Sequence, residues 1–136
     1  MYEIFEHTAD IGLRVTAPDL PTLFAEAGRG LFSLIVENLE DVQAVDRLRI
    51  ALEEPELAFL LFDWLKELLY RFDTEHLLLA RFDVRISDGS LEAEVSGERV
   101  DPRRHRLDHE VKAITYHGLK VEQTGGGWLA EIIADI

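Results

Sequence analysis

Apolar and polar residues alternate along some stretches of this chain and recur every third or fourth position along others. Each change of period marks an element boundary. Tyr2–Glu6 reads as a short strand, and HTADIG, residues 7–12, as a turn ending at Gly12. Leu13, Val15 and Ala17 then alternate with Arg14 and Thr16, the pattern of a half-buried strand. Asp19 is placed to cap a helix, with Pro21 in its first turn. Leu20, Phe24, Ala27, Leu31 and Ile35 extend that helix to about Glu37. Gly28 and Gly30 each cost about 1 kcal/mol relative to Ala in a helix, so their presence suggests close packing on a sheet.

A strand follows, with Leu48, Ile50 and Leu52 on one side and Arg47 and Arg49 on the other. Pro55 opens the strongest helical pattern. Leu57, Leu60, Leu61, Trp64, Leu65, Leu68, Leu69 and Phe72 form one stripe, with Phe59 and Phe62 apolar off it, so this helix is expected to be central and largely buried. From residue 77 onward the pattern is all strand. Asp88–Gly89 marks a hairpin, and Thr124–Gly127 a turn before Trp128–Asp135. Val111–Tyr116 and Leu119–Glu122 read as two strands before that turn. The order predicts an α+β fold, with two main helices packed on an antiparallel or mixed sheet, in a single domain spanning residues 1–136.

Charge and composition narrow the function. Asp and Glu number 27 against 14 Lys and Arg, a net charge of −13, which repels nucleic-acid phosphates and favours cations or a basic partner. Cysteine is absent, which removes disulfides, thiolate zinc sites and cysteine nucleophiles. With neither a signal-peptide pattern nor a membrane-length apolar run, the expected address is cytoplasmic, away from membranes. The sequence lacks a G-x-S-x-G elbow, and Thr124–Gly127 lacks the lysine and helix of a phosphate loop.

Four segments could carry chemistry. HTAD offers His7, Thr8 and Asp10, although such turns are common for purely local reasons. At the other end, Asp135 follows the apolar run Ile132–Ala134. If the native chain ends at Ile136, two neighbouring anions meet there, and a hard divalent cation with oxygen ligands would relieve their repulsion. Arg99–His109 is rich in Arg and His and reads as a solvated basic loop. Its Arg103–Arg106 stretch is the one place on an acidic chain where RNA or phosphate could be touched. Lys112, in an apolar and β-branched stretch, is either a snorkelling surface lysine or a functional amine near a carboxylate.

HTADIGL, WLKELLYRFDTE, GERVDPRRH, EVKAITYHGLKV and WLAEIIADI, in this order, resemble the pattern of the archease family over residues 2–136. The resemblance implies a small non-enzymatic accessory protein of the tRNA-splicing RNA ligase. Such a protein promotes formation of the ligase–guanylate intermediate and supports multiple turnover, with tRNA met only indirectly. GTP and manganese would belong to the ligase. Carried over residue by residue, the resemblance makes Asp10 and Asp135 ligands of a divalent ion, with Ile136 contributing a main-chain oxygen. Calcium is the first expectation, and magnesium or manganese the alternatives. His7, Lys112 and Glu67 match further polar positions of the family as candidate functional or partner contacts, Glu67 reading equally as a helix-surface carboxylate. The rival classes are a stand-alone metal-dependent hydrolase or nucleotide-handling enzyme using the same carboxylates, and a general chaperone or RNA-modification modulator.

Overall fold

The computed structural model describes residues 1–7 and 10–136, with Glu6 and His7 described by backbone alone. The described residues form β1 (Tyr2–His7), β2 (Asp10–Ala17), α1 (Leu20–Ile35), β3 (Asp46–Glu53), α2 (Leu57–Glu75), β4 (Leu77–Ser87), β5 (Ser90–Arg99), β6 (Ala113–Thr124) and β7 (Gly127–Asp135). The α+β expectation holds. The strands divide into two antiparallel sheets rather than one, ordered β1-β2-β7-β6 and β3-β5-β4.

The two helices lie between these sheets and share one contiguous core with both. α1 is apolar on opposite sides: a Cβ on Gly30 would stand 2.6 Å from Leu13 of the first sheet, and one on Gly28 would stand 3.0 Å from Phe82 of the second. The two glycines therefore let one helix touch both layers. The Asp19 side chain caps α1 by accepting from the Thr22 N–H at 2.8 Å. Hydrogen bonding from the Thr22 side chain, and then from this N–H, holds the Asp19 carboxyl below its ordinary range. Trp64 of α2 is fully buried, and its indole N–H donates to the Phe24 carbonyl of α1 at 2.9 Å, locking the helices together. The expected burial of α2 is partial, because Phe59 is 42% exposed.

Three local expectations change. Asp10–Gly12 belong to β2 rather than to a turn, because β1 and β7 pair with them on both sides. The two strands expected between residues 111 and 122 are one, interrupted by a register shift between Thr115 and Lys120, with Gly118 at φ 68°. The Arg99–His109 loop is pinned rather than merely solvated. His105 is buried against Glu98, while Asn38 accepts from the Arg106 N–H at 2.9 Å and donates to the Arg104 carbonyl at 2.8 Å. Spacing alone concealed the Asn38 contacts, because their partners lie more than sixty residues apart.

Candidate functional site

Antiparallel pairing decides which of the candidate residues meet. β2 runs beside β7 with Asp10 directly opposite Asp135, Ile11 opposite Ala134 and Leu13 opposite Ile132. Ile11, Leu13, Ile132 and Ala134 are buried on the helix side. By alternation, Asp10 and Asp135 share the opposite face. Directly opposed residues on one face hold their Cβ atoms about 4.5–5.5 Å apart, and like charges there repel. β2 and β7, the central pair of the first sheet, thus set opposite one another two aspartates that stand 125 positions apart in the sequence.

Neighbouring strands fix this pair. His7 is the register partner of Asp10 across β1, and Ala113 that of Asp135 across β6. The Lys112 N–H donates to the Asp135 carbonyl at 2.7 Å, extending the ladder one residue beyond β6. Both aspartates are half-buried, and Ile136 packs against the core. The expectations for the His7 side chain and for Thr8 lie outside the described residues.

Among the described residues, Arg14 on this face is engaged. The Arg14 guanidinium bonds Glu131 at 3.0 Å and approaches Glu3 at 3.6 Å. It lies four residues from Asp10, about 14 Å along the strand. Hydrogen bonding to Glu131 is the main reason its pKa is raised.

Oxygen donors of this type are the kind a hard divalent cation takes. Two carboxylates on one face are the right chemistry, and a main-chain oxygen at Ile136 is a suitable third donor. Among the described residues no group of three or more His, Cys, Asp or Glu side chains gathers at one point, so the side chains do not form a closed cage. Water or a partner's groups would complete the coordination.

The remaining candidates separate. Glu67 is half-buried on α2 and bonds Arg71 of its own helix at 3.0 Å; the same guanidinium reaches Glu75 at 3.1 Å. Lys112 is exposed, and its side chain lines a groove against α2 with Phe62, Lys66, Leu69 and Tyr70. The reading of α2 as a buried helix concealed this groove. Its signal was Phe59 and Phe62, the apolar residues lying off the main stripe.

Glu98 is a buried carboxylate engaged by several donors. Burial alone would raise its pKa, but hydrogen bonds from Arg104, the Gln43 N–H and His105 outweigh burial and hold it below its ordinary range. Among the described residues every buried side-chain nitrogen and oxygen has a partner, so this cluster reads as a structural pin. None of the helices among the described residues is long and apolar enough to cross a membrane.

Comparison with known proteins agrees over the whole length. The sequence pattern of the archease protein family matches residues 2–136. The chain is 36% identical to protein archease of Methanosarcina mazei over 99% of this chain and 95% of that protein. It is 39% identical to protein archease of Pyrococcus furiosus over 99% and 98%. The solution structure of Methanobacterium thermoautotrophicum protein 1598 superposes with a TM-score of 0.86 at 32% identity, covering 99% of this chain and 98% of that one. The crystal structure of a Thermotoga maritima archease, described as a possible chaperone, shares the fold with a TM-score of 0.69 at 20% identity, covering 100% and 98%.

Proposed function

The chain belongs to the archease family, and from that premise we propose that it is a non-enzymatic activator of the tRNA-splicing RNA ligase. In this reading it promotes ligase guanylylation and repeated turnover from the strand-end pair Asp10–Asp135. One observation carries the reading: the two acidic positions singled out at opposite ends of the sequence are direct register partners on one face of a sheet.

The physical argument is electrostatic. Two facing carboxylates cost free energy unless a cation lies between them. Bound there with the Ile136 main-chain oxygen, a divalent ion such as calcium would supply positive charge and open coordination positions for an oxygen of the partner or its nucleotide. The chain's own residues hold the acceptors: β1 and β6 flank the pair, and the Lys112 N–H fixes the Asp135 backbone. The ligase supplies the nucleophile, the nucleotide and its manganese. A net charge of −13 supports approach to a cation-rich centre rather than direct tRNA binding.

The test is a turnover count. With ligase limiting, wild-type protein should support many ligation cycles, while Asp10→Ala and Asp135→Ala should each lower the stimulated rate at least about tenfold, the scale on which transition-state contacts act. Equal stimulation by all three proteins would remove the site assignment. Metal-dependent hydrolysis of GTP or a phosphoester by the chain alone would instead favour the hydrolase class.

A further inference from the structure

The outer stripe of α2 has no role in the proposed acidic site. Phe59, Phe62, Lys66, Tyr70 and Asp73 recur at helical spacing along it. Across from it runs the start of β6. Tyr116 of that strand stacks on Phe62, with ring centres 4.0 Å apart and planes 15° apart, and meets Phe59 edge-on at 5.9 Å. Phe62 is buried, but the aromatic residues around it are not enclosed: Tyr116 is 62% exposed, Tyr70 57% and Phe59 42%. Between helix and strand lies a cavity of about 250 Å³ lined by Phe62, Lys66, Leu69, Tyr70, Lys112 and Ile114.

Lysine content sets this groove apart. The chain has 3 lysines in 136 residues, and two of them stand here. Lys120, the third, has carboxylates at 3.5 and 4.0 Å, whereas among the described residues Lys66 and Lys112 have no carboxylate at ion-pair distance. Asp73 lines the same groove, and partial burial, followed by the nearby Glu110, raises its pKa against the opposing influence of His76. The lysines leave the groove net positive on a strongly acidic protein.

We infer that this groove is a second contact site for the proposed partner, receiving a protruding aromatic or branched apolar side chain flanked by carboxylates. The inference rests on the ligase reading above. Size favours a side chain over a free ligand, because sites that enclose a whole small molecule run to about 300–1,000 Å³. Exposed tyrosines around an apolar pocket are the usual composition of a protein–protein hot spot. The two lysines select for acid beside the anchor. Docking proceeds through side chains rather than by adding a strand to β6, because the register shift and Gly118 break that strand's regularity beside Tyr116. The groove would hold the partner while Asp10 and Asp135 act, so holding and activating become separable.

Purified ligase and fluorescently labelled chain test this by anisotropy, with turnover measured on the same samples. Lys66→Glu and Tyr70→Ser should each weaken binding about tenfold, the scale of a hot-spot loss, with unchanged melting temperature. Asp10→Ala and Asp135→Ala should bind like wild type but fail to stimulate. Raising salt should weaken the wild-type complex more than the Lys66→Glu complex. If wild type binds and both groove variants bind equally well, the groove inference is overturned and the ligase reading stands. If wild type neither binds nor stimulates the ligase, the ligase reading fails and takes the groove inference with it.

Discussion

Glu98 shows what one buried carboxylate contributes when its partners come from two separate loops. Its oxygens accept from Arg104, from the Gln43 N–H at 2.6 Å and from His105 Nε2 at 3.2 Å. Because His105 Nδ1 accepts from the Asp101 N–H at 2.8 Å, the ring proton resides on Nε2 and donates to Glu98. The folded-state pKa is lowered, so the stabilisation is present above the ordinary glutamate value of about 4.3 and is lost as pH falls through the lower folded value. Glu98→Gln should cost about 1.5–3 kcal/mol at neutral pH, the scale of hydrogen bonds to a charged group. In urea melts the gap between wild type and variant should narrow as pH drops below about 4.3. A gap that stays constant down to about pH 3 would show that Glu98 does not titrate as a stabilising anion.

At the scale of elements, α1 reverses an intrinsic preference. Gly30 weakens an isolated helix by about 1 kcal/mol relative to Ala. In the folded protein an added Cβ would stand 2.6 Å from the buried Leu13 side chain and 3.0 Å from its second methyl. Overpacking a core costs about 1–3 kcal/mol, so Gly30→Ala should lower the melting temperature despite its better propensity. A variant that melts higher would show that β2 and α1 yield to each other more readily than a close-packed interior allows. The same element logic explains α2. One stripe of the helix anchors through Trp64 to α1, and the other meets Tyr116, so of its off-stripe phenylalanines Phe62 is buried beneath Tyr116 while Phe59 reports an exposed face.

For the molecule as a whole, the decisive contact joins β2 to β7. It closes the first sheet and sets two aspartates face to face on a chain of net charge −13. A cation that binds only the folded protein stabilises it by mass action, about 2.7 kcal/mol at a hundredfold excess over its dissociation constant. Calcium added to metal-free protein should therefore raise the melting temperature, and Asp10→Asn or Asp135→Asn should abolish most of that rise. An equal rise in wild type and both variants would place cation binding elsewhere.

The sequence by itself determined the local elements. The Asp19 cap, the two helices, the Asp88–Gly89 hairpin and the α+β class follow from periodicity and turn chemistry, which act over a few residues. Asp10 and Asp135 were legible as chemistry through residue type and family resemblance. Only tertiary structure decided that they face one another, that the strands form two sheets, and that His105 is buried while Tyr116 is exposed. Each of these depends on which strand lies beside which. Strand pairing is settled by burying a shared apolar face across long sequence separations, and a period of two residues cannot specify its partner.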